Sequence, residues 1–175
     1  MSFFRSFMSS ASRSARSATT ITPSGHLNIG DSEFKKKLSK VQFEVLREAR
    51  TEPRGITIAK GGFDDHFVSN GTYLCAACET PLYSSEMKFD CGCGWPGFWT
   101  NIPNAVAERT ETDGSNRTEI ICSACCSHLG HLFRGEGFKN PEPNERHCVN
   151  SVSLKFKRND PKVPVVNCTY NGIVY

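Results

Sequence analysis

The sequence predicts one small, mostly antiparallel β domain with a peripheral N-terminal helix and a metal clamp. Three observations carry this. Two C-x-x-C knuckles, Cys75-Ala-Ala-Cys78 and Cys122-Ser-Ala-Cys125, lie in one short chain. Between and after them run short apolar segments separated by Gly, Pro, Asn and Asp, the punctuation of strands and turns. Ahead of them stands a single helix-start signal, Ser39 followed by Gln42 at capping-box spacing.

The clamp is the most specific of these. Two residues between cysteines let both sulfurs turn toward one point, and two such turns supply the four thiolates of a closed structural zinc site. Cys75, Cys78, Cys122 and Cys125 are therefore expected to hold one structural zinc. Residues 79–121 lie between the knuckles, so the metal joins distant segments of a domain rather than folding one loop. A redox pair is the usual rival for a lone C-x-x-C, and two pairs weaken it.

At 175 residues the chain is long enough for one domain with a core plus tails. Its net charge of +3 argues only weakly for a polyanion partner, and the basic residues after position 60 are scattered, so no nucleic-acid partner is expected. No apolar run approaches the ~20 residues of a membrane span. Nine cysteines, an odd number with paired knuckles, point to metal plus reactive thiols rather than a disulfide scaffold.

Residues 1–30 contain Arg5, Arg13 and Arg16, many serines and no Asp before position 31. Arg-rich, Ser-rich and acid-free is the composition of an organelle transit peptide, so a mitochondrial leader is expected, with a plain tail on a cytoplasmic protein as the alternative. The folded domain is expected over 38–158, with a C-terminal extension at 159–175. A helix is predicted from about Lys40 to Ala49, with Leu38 and Phe43 as a staple and Val41, Val45 and Leu46 inward. Residues 54–71, with Phe63 and Phe67, read as loop. Strands are predicted at Tyr73–Cys75, Pro81–Tyr83, Ala105–Thr110, Thr118–Cys122 and Leu129–Phe133, with the turn Thr112–Ser115 joining the middle pair. Cys148 to Phe156 reads as one strand whose period of two puts Cys148 and Asn150 on the apolar, core-facing side.

Outside the knuckles the chemistry concentrates in three places. Cys148 has Arg146 two residues away, on the same face of a strand, where a cation favours the thiolate; a buried inert cysteine is the alternative. Cys93 sits in Cys91-Gly92-Cys93-Gly94-Trp95-Pro96-Gly97-Phe98-Trp99, a glycine-rich loop that places a movable thiol beside large aromatics, or else a tight turn anchored by core rings. His128-Leu129-Gly130-His131 brings two imidazoles whose ordinary pKa suits proton donation, or two satisfied core histidines.

Taken together and in order, Cys75-x-x-Cys78, Lys88-Phe89-Asp90-x-Gly92-Cys93-Gly94-Trp95-Pro96-x-Phe98, Arg117-Thr118-Glu119-Ile120, Cys122-x-x-Cys125, His128-Leu129-Gly130-His131-x-Phe133 and Arg146-x-Cys148-Val149-Asn150-Ser151 resemble the B-type methionine sulfoxide reductases. The resemblance runs from about Leu38 to Phe156. It implies two antiparallel sheets in a small barrel-like domain, with the zinc away from the active site. It implies Cys148 as the nucleophile, Cys93 as the resolving cysteine, Trp95 and Phe133 around the substrate, and His128, His131, Arg146 and Asn150 as the polar set. The activity implied is reduction of the R epimer of protein-bound methionine sulfoxide, with the resulting disulfide reduced by thioredoxin or a similar dithiol, in repair of oxidised proteins. A monomer is expected.

This chain departs from the family pattern at Cys91, where serine is usual, at Gly97, where Ala or Ser is usual, and at His147, where tyrosine is common. Cys91 is thus an alternative resolving thiol. After Phe133, Arg134-Gly135 stands where some members carry an acid, and no acid is assigned there. Two other classes compete: a non-catalytic zinc-clamped β domain that binds protein or nucleic acid, and a dithiol oxidoreductase using a C-x-x-C directly.

Overall fold

Ser39 opens the helical corner of the molecule. Its hydroxyl accepts from Gln42 N at 3.2 Å, and Gln42 Oε1 accepts from Ser39 N at 3.1 Å, which is the predicted capping box. The computed structural model describes residues 20–21, 27–55, 70–111, 117–159, 169–170 and 173–174, the first and last few as backbone alone. Expectations about the leader, Phe63, Phe67, the Thr112–Ser115 turn and Cys168 fall almost wholly outside those residues.

Before the capped helix come β1 (Thr20–Ile21), β2 (Leu27–Asn28) and a helix the sequence reading missed, α1 (Asp31–Lys37). Its acids Asp31 and Glu33 lie in the first turn and Lys35, Lys36 and Lys37 in the last, matching the helix dipole. Only Phe34 of α1 is buried, so it shows no repeating apolar stripe for a reader to find. The capped helix is α2 (Lys40–Leu46), shorter than predicted because Arg50 N turns back to Glu44 O and Ala49 adopts a positive φ of 54°. Phe43, Val45 and Leu46 face inward, whereas Val41, expected inward, is 51% exposed.

The strands follow: β3 (Gly71–Cys75), β4 (Pro81–Ser84), β5 (Lys88–Phe89), β6 (Gly97–Phe98), β7 (Val106–Thr110), β8 (Thr118–Cys122), β9 (His128–Arg134), β10 (Glu145–Val149), β11 (Leu154–Arg158), β12 (Thr169–Tyr170) and β13 (Ile173–Val174). They form two main antiparallel sheets, as expected. One has six strands in the order β5-β6-β10-β9-β8-β7, the other three in the order β11-β3-β4. β1–β2 and β12–β13 are isolated pairs.

The predicted single strand Cys148–Phe156 is two. β10 ends at Val149, a 3-10 turn spans Ser151–Ser153, and β11 joins the other sheet. The physical cause is polar. Asn150 N and Nδ2 both donate to Leu129 O, at 2.8 and 3.0 Å, and the Glu52 carboxylate accepts from Ser151 N at 2.6 Å and Val152 N at 3.1 Å. These bonds turn the backbone out of the ladder, so the facing of side chains changes. His147 and Val149 point into the core, and Arg146 and Cys148 share the half-exposed face.

The core lies between the sheets and under α2. Tyr83 and Phe98 stack with centroids 4.1 Å apart, and Tyr73 meets Phe98 edge-on at 5.0 Å. Leu82, Ile120, Leu129, Val149 and Leu154 complete it. Among the described residues no helix is long and apolar enough to cross a membrane.

Candidate active site

Register across the six-stranded sheet builds one row of side chains. Phe89 pairs with Gly97, Gly97 with Cys148, Cys148 with His131, His131 with Glu119, and Glu119 with Arg109. Residues directly opposite in an antiparallel ladder project to the same side, so this row is a single transverse line with Cys148 near its middle. Arg146, two residues earlier on β10, pairs with Phe133 on β9, and its guanidinium carbon sits 4.0 Å from the ring centroid.

Three sulfurs gather at Cys148. Cys93 Sγ lies 3.6 Å from Cys148 Sγ and 3.0 Å from Cys91 Sγ. Trp95 N donates to Cys93 Sγ at 3.4 Å, while Trp95 Nε1 donates to Glu52 O at 3.2 Å. Cys148 and the Trp95 backbone thus both touch the Cys93 sulfur. All three thiols are free and partly exposed. The loop that carries Cys91 and Cys93 is pinned where Val149 N donates to Pro96 O at 3.0 Å and Gly55 N to Gly94 O at 3.3 Å.

Charge concentrates on Cys93. S–H donation from Cys148, then from Cys91, pulls its thiol well below the ordinary range against burial, and Arg146 adds to the pull. The same donation pushes Cys148 and Cys91 up, with burial second. Among the three sulfurs the thiolate is thus favoured at Cys93, and Arg146 favours it further. Arg146 is itself held by Glu136, with Nη2 donating to Oε1 at 2.7 Å alongside a second, Nε bond.

The polar residues named from sequence are placed as follows. His131 Nε2 lies 2.9 Å from Glu111 Oε1. His128 Nδ1 lies 2.7 Å from Glu119 Oε1, its ring centroid is 5.6 Å from that of His131, and its Nε2 is buried with no hydrogen-bond partner among the described residues. Burial lowers the His128 pKa, and the Glu119 carboxylate opposes that. For Glu119, burial raises the pKa, but bonds from Arg109 and His128 more than offset it and the carboxyl ends below its usual range. Asn150 is brought beside the site but not into it: its Oδ1 accepts from Glu52 N at 2.9 Å and its Nδ2 is spent on Leu129 O. Both ends of its amide thus hold backbone.

Four acids of this arrangement, Glu52, Glu111, Glu119 and Glu136, had no role in the sequence reading. Glu119 carried a signal, an acid inside an otherwise apolar strand. Glu136 carried a weaker one, an acid two residues past the point where none was assigned.

The knuckles form a second centre. Cys75, Cys78, Cys122 and Cys125 offer sulfurs that all lie within 4.8 Å of one another, with Cys75–Cys125 at 3.7 Å and Cys78–Cys122 at 3.6 Å. Zn–S bonds of about 2.3 Å in a tetrahedron require sulfur separations of about 3.8 Å, so the donor set fits that metal. Cys126 is exposed and outside the quartet. The two knuckles share one backbone shape. Cys75 N donates to Thr80 O and Glu79 N to Cys75 O, each at 2.8 Å; Cys122 N donates to Ser127 O at 2.9 Å and Cys126 N to Cys122 O at 2.8 Å. Glu79 and Cys126, the residues after the second cysteines, both have positive φ, 64° and 57°. Along β8, Cys122 lies three positions past Glu119, about 10 Å at strand rise, so the clamp and the thiol row are separate.

Comparison with known proteins adds the family context. Residues 38–158 match the SelR domain. Peptide methionine sulfoxide reductase B9 of Arabidopsis thaliana is 51% identical over 141 residues, covering 80% of this chain and 94% of that protein. Peptide methionine sulfoxide reductase B8 of the same plant is 48% identical over 146 residues, covering 83% and 97%. Peptide methionine sulfoxide reductase B5 of Oryza sativa subsp. japonica is 51% identical over 126 residues, covering 72% and 88%.

Proposed function

The chain belongs to the SelR domain family, among relatives that are peptide methionine sulfoxide reductases B, and from that premise we propose how its residues carry out the reaction. It is an oxidoreductase that reduces methionine sulfoxide. The observation that carries the finer reading is the pair Cys148 and Cys93, sulfurs 3.6 Å apart beside Arg146.

In this reading Cys148, having passed its proton toward Cys93, attacks the sulfoxide sulfur as a thiolate. A proton reaches the sulfoxide oxygen, and methionine departs as Cys148 becomes a sulfenic acid. Cys93 then attacks the Cys148 sulfur, water leaves, and a disulfide forms. An external dithiol, thioredoxin or a similar protein, restores both thiols. His128 and His131 are the imidazoles of the site, and His131, opposite Cys148 in the ladder with its ring 5.6 Å from that of His128, is the better placed to deliver that proton. Arg146 holds negative charge at the sulfurs, and Trp95 and Phe133 line the substrate methyl. Holding methyl and oxygen at once leaves only one hand of sulfur facing Cys148, and the family resemblance makes that hand the R epimer.

The quartet Cys75, Cys78, Cys122 and Cys125 holds zinc in a structural role, supported by the fit of its sulfur spacing. Oxidised proteins are the substrates, repair is the biological role, and the active chain is a monomer. Residues 38–158 form the catalytic unit, 1–30 direct it to mitochondria, and 159–175 extend it; the leader rests on composition alone.

Epimer-resolved turnover of methionine sulfoxide in a peptide tests this. The R form should be consumed and the S form left, and Cys148→Ser should abolish consumption. Turnover retained in Cys148→Ser rejects the assignment of the nucleophile.

A further inference from the structure

Cys91 stands in the thiol cluster, yet the two-cysteine scheme leaves it idle. Its sulfur is closer to Cys93 than Cys148 is, 3.0 against 3.6 Å. The site makes room for it. A Cβ placed on Gly97, the residue opposite Cys148, would lie 2.7 Å from Cys91 Sγ, so the bare backbone there leaves the space that the third sulfur fills. Between Cys91 and Cys93, Gly92 has φ +65° and is exposed, with nothing within 4 Å of where its Cβ would be. The chain therefore turns back on itself between two sulfurs already in contact, at the outer rim of the loop. Cys148, by contrast, lies within a strand paired on both sides.

We propose that Cys91 is a relay thiol that moves the disulfide from Cys93–Cys148 to Cys91–Cys93. This rests on the reductase reading above. Cys91 sulfur attacks Cys93 Sγ, the Cys91–Cys93 bond forms, the Cys93–Cys148 bond breaks, and Cys148 leaves as a thiolate. The proton given up by Cys91 is matched by the one Cys148 regains, and no electrons enter or leave. An external dithiol then reduces the Cys91–Cys93 bond, supplying two electrons and two protons. The relay frees the strand thiol for another sulfoxide and stores the oxidation on an exposed turn. Gly97 is then a specificity device for the third sulfur, since a side chain there would displace it.

Disulfide mapping tests the relay on the full chain. The protein is given one equivalent of a peptide R-sulfoxide without reductant, quenched in acid, alkylated and digested with trypsin. Cys91 and Cys93 fall on one peptide, Phe89–Arg109, and Cys148 on another, His147–Lys155. The expected product is an internally bridged, unalkylated Phe89–Arg109 beside alkylated His147–Lys155. In Cys91→Ser the two peptides should instead be cross-linked, and the steady-state rate with dithiothreitol should fall at least about fivefold. A wild-type chain that releases methionine but yields only the cross-linked pair overturns the relay alone. So does Cys91→Ser cycling at the wild-type rate. A wild-type chain that releases no methionine sinks the reductase reading, and the relay with it.

Discussion

Glu136 and Arg146 meet in a two-pronged ion pair, with Arg146 Nη2 at 2.7 Å from Glu136 Oε1. The guanidinium stacks on Phe133 at 4.0 Å, so the pair and the ring together fix a cation beside the sulfurs. Glu136→Gln keeps the shape and removes the charge that orients Arg146. We expect kcat/KM for the sulfoxide to fall by about tenfold to a hundredfold, with folding stability changed little, because the acid lies at the surface. The pH–rate profile separates this from a structural effect, since its thiolate limb should move while the Tm does not.

Cys93→Ser should release one equivalent of methionine and then stall with thioredoxin as reductant. Cycling at full rate would mean that Cys91 resolves Cys148 directly. A single-turnover burst compared with the steady state reads this out.

The sulfur quartet sets a third expectation. Purified protein should carry about one zinc per chain, and metal-free, well-folded protein would contradict the clamp. Cys125→Ser should lose most of the zinc and lower the Tm by roughly 10 °C or more, the scale of a loss of several kcal/mol in a domain of this length. Cys126→Ser, outside the quartet, should keep both. Metal analysis with thermal melts distinguishes the two neighbours.

Gly130 lies across from Val149, and a Cβ there would stand 1.9 Å from the Cys148 carbonyl oxygen. Backbone cannot yield as a flexible side chain can. Gly130→Ala should therefore destabilise the domain by about 3 kcal/mol and push β10, with its thiol, out of register with β9. Denaturant melts give the first effect and activity per folded molecule the second.

Glu119 makes a pH prediction. Its carboxyl is held below the unfolded value, so its contribution is fully present above about pH 4.5 and is lost as pH falls through the lower, folded value. His128, whose folded pKa is also depressed, stabilises the fold above its unfolded value of 6.5 and loses that contribution as pH falls below it. Both act in the same direction, so stability should decline in acid from about pH 6.5 downward. Glu119→Gln should cost about 2 kcal/mol at neutral pH by leaving His128 Nδ1 without its ionised partner, and should flatten the part of the decline below pH 4.5. Urea melts across pH in both proteins check it.

What could be read beforehand followed the range of the interactions involved. The capping box at Ser39 is local, and it was legible to the residue. The knuckles were legible because metal geometry restricts ligand spacing. Alternation correctly placed Arg146 and Cys148 on one face but wrongly turned that face to the core, which His147 and Val149 occupy instead, because the break after Val149 was hidden: it depends on Glu52 and Leu129, far away in sequence. Helix α1 was invisible for want of an apolar stripe, having one buried residue. The acids that orient His128, His131 and Arg146 meet them only once β7, β8 and the loop after β9 are assembled, so no spacing rule announces them.

The twin backbone shape of the knuckles has a consequence for assembly. Each is closed by its own pair of backbone hydrogen bonds and its own left-handed residue. We expect zinc to dock two halves already shaped rather than to mould its ligands. Exchanging Ala76-Ala77 with Ser123-Ala124 should accordingly leave the tetrahedron as it was.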